Sequence, residues 1–169
     1  VRINLSSNAP ILPITNIYVQ AEDSIWLCTE GEGLRRIIGD SVTAFTTEDG
    51  LSDDFVYTVI VTESNRIMAA TDRGINELIF KDGRLGIAQI TTSKGLPDNI
   101  VRTVRPIPNM CWSWIGTHEG GLALYCSISH EVWTPNTNTK WEWGAVNDIL
   151  PLSKQEAWVA TESGYLLKA

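Results

Sequence analysis

The apolar residues of this chain come in short runs of about five to seven positions, and Gly, Asp, Asn and Pro separate one run from the next. Many of these runs are rich in β-branched residues, which favour strands. No segment keeps apolar residues at i, i+3, i+4 and i+7, the spacing of an amphipathic helix. The pattern therefore predicts an all-β fold without a long helix.

The apolar runs recur with a regular period. One type of run closes on a threonine, at Thr29, Thr71, Thr117 and Thr161. These threonines follow one another at intervals of 42, 46 and 44 residues. A second type of run begins at Ile14, Val56, Val101 and Val146. Two independent landmarks with one period indicate an internal repeat of four units.

A complete unit contains the apolar runs for four strands, which in the first unit lie near Ile14–Gln20, Ile25–Thr29, Leu34–Ile38 and Val42–Thr46. A period of 40 to 50 residues with four short strands is typical of a β-propeller blade. The predicted blades span about 12–47, 54–93, 99–135 and 144–169. The chain 1–169 is then a single propeller domain of about four antiparallel blades, or a fragment of a larger propeller.

The last unit has apolar runs for three strands only, near Val146–Leu152, Glu156–Thr161 and Tyr165–Lys168. The first unit is preceded by a spare extended segment, Val1–Leu5, within residues 1–6. We expect that this segment can supply the missing outer strand and close the ring, since closure removes free sheet edges. The closed form would be a four-bladed ring or a dimer of eight blades, and the alternative is a cut through a larger propeller.

Charge and composition limit the classes of partner that the chain can bind. The chain carries 13 Lys and Arg against 20 Asp and Glu, a net charge of −7. Such a protein is a poor electrostatic partner for nucleic acid or anionic lipid. No apolar run approaches the length of about 18 residues that a membrane helix needs. We therefore expect no nucleic acid partner and no membrane contact by this segment.

Two kinds of motif carry a family resemblance. The run from Ile25 to Leu34 and the run from Trp114 to Leu122 are similar to the "LWIGT…GGL" core of two-component regulator propeller repeats. The stretches Gly50–Val56 and Gly95–Val101 resemble the "GLPSNxV" linker between the blades of that family. The resemblance covers about four repeats. The chain departs from the family in having few repeats and in lacking Gly-Leu in its fourth linker, Thr139–Trp143.

The resemblance implies a function class. In that family such repeats form the extracytoplasmic, periplasmic sensor of bacterial hybrid histidine kinases. Its members sense oligosaccharide fragments or transmit their signal by dimerising. It implies a non-catalytic sensing module whose partners are an oligosaccharide and either a second copy or the remaining blades of a parent kinase. The rival hypotheses are a protein-interaction scaffold and a carbohydrate lyase or hydrolase.

The tryptophans divide into two groups. Trp26, Trp114 and Trp158 occupy one repeated strand position, and we expect them to pack between blades. Trp141 aligns with packing positions of the other linkers, whereas Trp143 aligns with the polar residues Asp53 and Asp98. An exposed indole can stack on a sugar ring or anchor an interface. Both Trp141 and Trp143 are therefore candidate ligand-binding residues, and the alternative for Trp143 is a ring folded over a neighbouring blade.

A polar turn follows each repeated threonine. In a propeller this turn faces the same side as the linkers between blades, where ligands commonly bind. The candidate ligand-binding residues in these turns are Glu30, Glu32, Asp72, Arg73, His118, Glu119 and Glu162. The alternative is ordinary turn chemistry, since polar residues populate hairpin loops in any case.

The cysteines and histidines give no metal signature. Cys28, Cys111 and Cys126 form no CxxC pair, and the two histidines have no third ligand nearby in the sequence. We expect no metal and no cofactor. Cys111 and Cys126 flank one predicted hairpin and can face each other across it, so they are a candidate disulfide. Neither a Gly-x-Ser-x-Gly elbow nor a phosphate loop is present, and we expect no catalytic residues.

Overall fold

The computed structural model describes residues 13–135 and 140–169. This part of the chain forms fifteen β-strands and two short 3-10 turns, at Thr47–Asp49 and Thr92–Lys94. None of its helices has the length and apolar character that a bilayer span requires. The prediction of an all-β fold is confirmed.

The strands form four antiparallel sheets, each made of consecutive strands, which are the blades of a propeller. Blade 1 consists of β1 (Ile14–Ala21), β2 (Ser24–Thr29), β3 (Leu34–Ile38) and β4 (Ser41–Phe45). Blade 2 consists of β5 (Val56–Val61), β6 (Ile67–Thr71), β7 (Gly74–Lys81) and β8 (Arg84–Ile90). Blade 3 consists of β9 (Val101–Pro106), β10 (Trp112–Thr117), β11 (Leu122–Cys126) and β12 (Val132–Trp133). Blade 4 consists of β13 (Val146–Pro151), β14 (Ala157–Thr161) and β15 (Leu166–Lys168).

The predicted arrangement of about four blades is confirmed, with three strands in blade 4 among the described residues. The segment Val1–Leu5, to which the sequence assigned the missing strand, lies outside the described residues.

The repeated threonines close the second strand of each blade. In every blade the threonine hydroxyl donates a hydrogen bond to a backbone carbonyl on the far side of the following hairpin, at 2.8 to 3.3 Å. This bond gives the threonine hydroxyl a partner at the strand end and joins the two sides of the hairpin. The threonine that recurs along the sequence therefore marks the same hairpin in every blade.

Apolar side chains fill the space between consecutive blades and form three hydrophobic cores among the described residues. The core between blades 1 and 2 includes Trp26, Leu34 and Val59. The core between blades 3 and 4 includes Trp114 and Ile149, which hold the positions of Trp26 and Val59 two repeats later. The sheets of blades 2 and 3 therefore bury both faces, because each of these inner blades packs against a neighbour on both sides.

Blades 1 and 4 each keep one face without a neighbour. Ile17 and Val19 of blade 1 are exposed, and so are Leu150 and Leu166 of blade 4. The four blades are consequently an open arc in the described residues. The prediction that Trp158 is a core residue is wrong for this structure, since Trp158 is exposed where Trp26 and Trp114 are buried. The reason is that Trp158 lies on the outer face of blade 4, where no following blade covers it.

Candidate functional site

One side of the propeller carries the hairpins between the second and third strands of each blade, together with the linkers between blades. We call this side the linker face. Backbone hydrogen bonds join these hairpins to the segments that precede the inner strands: Glu30 N donates to Pro13 O at 3.1 Å, Gly33 N to Asp54 O at 2.9 Å, His118 N to Ile100 O at 2.9 Å, and Glu162 N to Ala145 O at 2.8 Å. The prediction had placed the polar turns beside the linkers for topological reasons, and these bonds are the local contacts that hold them there.

The predicted polar residues of blade 2 have partners within the fold. Asp72 accepts a hydrogen bond from the hydroxyl of Tyr57 at 2.7 Å. The guanidinium of Arg73 lies 3.3 Å from a carboxylate oxygen of Asp53 in the preceding linker. The first contact joins the hairpin to strand β5 and the second joins it to the linker, so Asp72 and Arg73 both have partners within the fold.

The acidic side chains of the other hairpins differ in whether they form contacts with neighbouring residues or are exposed. Glu32 forms an ion pair with Arg35. Glu30 and Glu162 are exposed at the tips of their hairpins. The backbone N–H of Glu119 donates to the Asp98 carboxylate at 2.9 Å, and its side chain is exposed. The linker face therefore offers Glu30, Glu119 and Glu162 as accessible carboxylates, spread along the arc on different blades.

The innermost strands contribute a set of residues that the sequence analysis did not single out. In each blade the register of the first two strands shifts at one residue near the start of the inner strand, as it does at a β-bulge. The four residues at these shifts are Thr15, Tyr57, Arg102 and Asn147. A bulge turns the extra side chain away from the regular alternation of a strand. The linker-face end of every inner strand thus presents one polar side chain.

Tyr57 and Arg102 make the most extensive contacts of this set. The Arg102 guanidinium lies over the Tyr57 ring, 4.7 Å from its centroid, and the Tyr57 ring also packs against Phe55 at 4.8 Å between centroids. Burial of the phenol, with the hydrogen bond to Asp72 and the negative charge of that carboxylate, raises the pKa of Tyr57 to about 12. Tyr57 is therefore a hydrogen-bond donor at neutral pH.

Blade 4 places two exposed aromatic rings together. Trp143 in the fourth linker and Tyr165 in the β14–β15 hairpin meet edge to face, with their centroids 5.1 Å apart. Both rings are exposed. The exposed carboxylate of Glu162 belongs to the same hairpin as Tyr165. We call Trp143, Tyr165 and Glu162 the aromatic corner.

The polar residues that Trp143 replaces have a clear structural role in the other linkers. Asp53 accepts a hydrogen bond from Phe55 N at 2.8 Å, and Asp98 accepts one from Ile100 N at 3.1 Å. Such bonds stabilise the turn that leads into the next inner strand. A tryptophan cannot accept them, so the residue at position 143 contributes an aromatic surface instead.

Trp141 behaves differently from Trp143. Its indole N–H donates to Gly144 O at 2.7 Å, and its ring packs against the core between blades 3 and 4. A Cβ at Gly121 would lie 2.7 Å from this ring, so the backbone there approaches the indole closely. The packing role that the alignment indicated for Trp141 agrees with these contacts.

Trp141 also forms part of an apolar groove of about 890 Å³ between blades 3 and 4. Its aromatic and proline walls are Trp114, Trp133, Trp141, Pro97 and Pro135. Between blades 1 and 2, Leu85 and Ile87 of the outer strand β8 pack against the equivalent core. Blade 4 has no fourth strand among the described residues, and the corresponding space is therefore left as a groove.

The cysteines and histidines were also candidates. The structure joins Cys111 and Cys126 in a disulfide across the β10–β11 hairpin, with 4.9 Å between their Cα atoms. Cys28 is a buried free thiol, and burial raises its pKa. His118 is partly buried on the linker face, and its Nδ1 has no hydrogen-bond partner among the residues that the structure describes. No group of three or more potential metal ligands comes together in the described part of the chain.

The residues that sequence reasoning missed share one property: their role depends on register or on a neighbouring blade. Tyr57 and Arg102 sit one residue after the start of an inner strand, a position that alternation alone assigns to a strand face. Comparing the four repeats at that position shows Thr, Tyr, Arg and Asn, all able to form hydrogen bonds. That column of polar residues was the available signal.

Comparison with known proteins adds solved structures of the same fold. No protein-family model and no curated protein sequence matches the chain. The extracellular domain of a protein assigned as a hybrid two-component system of B. thetaiotaomicron aligns with a TM-score of 0.71 and 23% identity, over 92% of this chain and 20% of that one. A second extracellular domain from B. thetaiotaomicron, assigned to a one-component system, aligns with a TM-score of 0.72 and 17% identity, over 96% of this chain and 23% of that one.

An enzyme shares the fold as well. A catalytically inactive virginiamycin B lyase from Staphylococcus aureus aligns with a TM-score of 0.65 and 11% identity, over 97% of this chain and 57% of that one. These likenesses establish the propeller fold. The chain spans about a fifth to a quarter of the two extracellular domains.

Proposed function

We propose that this chain is a non-catalytic sensing module of a bacterial signalling protein and that it binds an oligosaccharide at the aromatic corner of the linker face. The observation that carries the proposal is the exposed pair of Trp143 and Tyr165 beside Glu162. An exposed ring face packs against the apolar face of a sugar, and a carboxylate accepts hydrogen bonds from sugar hydroxyls.

The shared fold supports the sensing part of the proposal. Two of the solved structures with this fold are extracellular domains assigned to one- or two-component systems of B. thetaiotaomicron. The Cys111–Cys126 disulfide supports an extracytoplasmic, periplasmic location, because disulfides persist in oxidising compartments. In this proposal the chain acts together with further parts of a longer signalling protein.

The absence of turnover is also part of the proposal. Most polar groups described on the linker face hold the fold together: Asp53 and Asp98 cap turns, and Asp72 accepts from Tyr57. A lyase or hydrolase would need an acid and a base placed around one substrate bond. The accessible carboxylates instead lie on hairpins of different blades.

The first test is a binding experiment with Trp143→Ala. Isothermal titration calorimetry against a panel of oligosaccharides should identify a ligand for the unmodified chain. For that ligand we expect Trp143→Ala to weaken binding by about tenfold or more, because the ring that the sugar contacts is lost. The melting temperature should change little, since the Trp143 ring is exposed.

The matched control is Trp133→Ala, which removes an exposed tryptophan from the outer strand of blade 3 and should leave the affinity unchanged. The groove would be the binding site if Trp133→Ala weakened binding while Trp143→Ala did not. New reducing ends or unsaturated products during the titration would contradict the non-catalytic part of the proposal. A large fall in the melting temperature of Trp143→Ala would assign that ring to the core.

A further inference from the structure

The residue directly after the repeated threonine is an acid in blades 1, 2 and 4, and a histidine in blade 3. In chain order the residues at this position are Glu30, Asp72, His118 and Glu162. In blade 2 this acid lies beside the side chain at the inner-strand bulge, because Asp72 accepts the hydrogen bond from Tyr57. The equivalent pair in blade 3 is His118 and Arg102. Blade 3 therefore joins the arginine at its bulge to a hairpin that has no acid at this position.

Arg102 is partly buried, and it forms no ion pair with any residue that the structure describes. Its guanidinium lies over the Tyr57 ring, 4.7 Å from the centroid. By contrast, the guanidinium of Arg105 on the same strand lies 2.7 Å from the Asp148 carboxylate. A guanidinium stays charged at neutral pH, and a charged group that loses contact with water usually has a partner. Arg102 therefore offers a positive charge to a group from outside the described fold.

His118 adds a second unused polar group at the same end of blade 3. Arg102 and His118 directly follow Val101 and Thr117, which are paired across β9 and β10. The Nδ1 atom of His118 is buried and has no hydrogen-bond partner within the described ranges. A buried nitrogen of this kind costs free energy unless a ligand or a water molecule supplies the partner. Two groups that need a partner thus lie at one end of one blade.

We propose that Arg102 and His118 form a subsite for a carboxylate, so that the ligand of the linker face is an oligosaccharide that contains uronic acid. The inference rests on the proposed function, because it concerns the same sugar-binding face. The parallel N–H groups of a guanidinium match the two oxygens of a carboxylate. The imidazole donates to the same group in the tautomer that carries its proton on Nδ1. The ligand thus supplies the acid that the other three hairpins carry themselves.

The position of the subsite makes it independent of the two end blades. Blade 3 packs against blade 2 through one hydrophobic core and against blade 4 through another. The Tyr57 ring that carries the guanidinium belongs to blade 2, which is also an inner blade. The geometry around Arg102 is therefore the same whatever covers the open faces of blades 1 and 4.

The charge of the protein limits which anions this subsite can hold. The net charge of −7 and the exposed carboxylate of Glu119 repel an anion at long range. Asp98 in the adjacent linker already accepts hydrogen bonds from the backbone N–H groups of Ile100 and Glu119. Binding must therefore depend on the hydrogen-bond geometry of the guanidinium, which a lysine does not reproduce.

Calorimetry with paired ligands tests the proposal. The probes are oligomers of galacturonate, glucuronate and mannuronate, each measured beside its methyl ester, which keeps the sugar ring and removes the negative charge. We expect at least one acid form to bind about tenfold or more tightly than its ester. Arg102→Gln and Arg102→Lys should each bring the affinity for the acid form down to that for the ester, because neither side chain offers the guanidinium fork.

His118→Asp tests the subsite without changing Arg102. This substitution gives blade 3 the acid that Asp72 gives blade 2, and the new carboxylate competes with the ligand for Arg102. The preference for the acid form should disappear. The matched control is Arg105→Gln, which removes a guanidinium of the same strand that already has Asp148 as its partner, and it should leave the preference unchanged. Circular dichroism checks that each variant folds, and His118→Asp keeps the test decisive if Arg102→Gln does not.

Four results would overturn the proposal. Equal affinities for the acids and their esters would show that no carboxylate is recognised. A preference for the acid that persists in Arg102→Gln would place the carboxylate at another group. A preference that persists in His118→Asp would show that position 118 does not face the ligand. Tighter binding of a sulfated galactan oligomer, which contains no uronic acid, than of every uronate would assign the subsite to sulfate.

Trp143 separates the failure of this inference from the failure of the proposed function. Trp143→Ala should weaken the binding of acid and ester alike, whereas Arg102→Gln should weaken only the binding of the acid. If a neutral oligosaccharide binds through Trp143 and no uronate oligomer binds, the aromatic corner stands and the carboxylate subsite is refuted. A preference for the acid that needs Arg102 and survives Trp143→Ala would keep the subsite and refute the aromatic corner. If no oligosaccharide binds, both are refuted.

Discussion

A tryptophan at one repeated position has two different environments in this protein. The Trp26 ring is fully buried, lies 5.7 Å from the Phe45 ring, and donates its indole N–H to Gln20 at 2.9 Å. Trp158 has the same place in its blade but lies at the surface. The residue type and its strand are equal, so the difference between the two positions comes from the neighbouring blade alone.

This difference gives a prediction for stability. Trp26→Ala should lower the free energy of unfolding by about 3–5 kcal/mol, because it leaves a large cavity between blades 1 and 2. Trp158→Ala should cost less than about 2 kcal/mol, because much of that side chain is already in water. Urea denaturation of both variants at low protein concentration measures the two values. Equal costs would contradict the open face of blade 4, and a cost below about 1 kcal/mol for Trp26→Ala would refute its place in the core.

Tyr57 gives a prediction for alkaline pH. Its pKa is raised by burial and by Asp72 to about 12 in the folded state, from 10.0 for an ordinary tyrosine. The unfolded chain therefore releases this proton first, and the stability that the neutral phenol contributes is complete below pH 10 and is lost as the pH rises to about 12.

The measurement for Tyr57 is the free energy of unfolding across this alkaline range, beside the ultraviolet absorbance of phenolate. Tyr57→Phe should remove an absorbance step near pH 12 and flatten the loss of stability between pH 10 and 12. An unchanged absorbance curve for Tyr57→Phe would show that the phenol does not titrate there.

At the scale of an element, the strand β10 shows how closely the blades approach. A Cβ added to Gly116 would lie 2.4 Å from a methyl carbon of Val146 in blade 4 and 2.8 Å from a methyl carbon of Thr103. The equivalent positions of blades 1 and 2 are Cys28 and Ala70, which carry small side chains. The spacing of blades 3 and 4 therefore depends on a residue without a side chain in β10.

Gly116→Ala should consequently lower the free energy of unfolding by about 1–3 kcal/mol, the usual cost of overpacking. The control is Gly86→Ala in strand β8, where the nearest atom to the added Cβ is a carbonyl oxygen at 3.9 Å. Thermal unfolding of the two variants compares them directly. Equal stability of Gly116→Ala and Gly86→Ala would contradict the prediction. It would show that blades 3 and 4 can move apart to accept the added methyl group.

At the scale of the whole molecule, the arc is organised by interfaces between blades. Three cores join four sheets in series, so each blade depends mainly on its immediate neighbours. The two end blades of such a series each keep one apolar face without a neighbouring blade. Exposed apolar surface of this kind marks an interaction site.

Much of the fold could be predicted from the sequence. Each strand appears as a short run of apolar residues, and each turn is marked by Gly, Asp or Thr. Each predicted end of the four strands of the first unit lies within one residue of the observed end. The three strands predicted for the short last unit are the three that the structure shows. The candidate site was only partly accessible by this route. Hairpin residues such as Glu30 and Glu162 were identified as turn residues, but the pairing of Trp143 with Tyr165 required the fourth linker to fold back on its blade.

The sequence by itself determined the repeat, the blade and the side of the propeller on which the polar turns lie. These are local properties, since a strand and its hairpin are specified by residues within about twenty positions of one another. Only the tertiary structure decided which repeated apolar residues are buried, because burial depends on a neighbouring blade that the residue itself does not encode. For that reason Trp158 is predicted from the sequence to pack between blades, whereas the structure leaves its side chain exposed on blade 4.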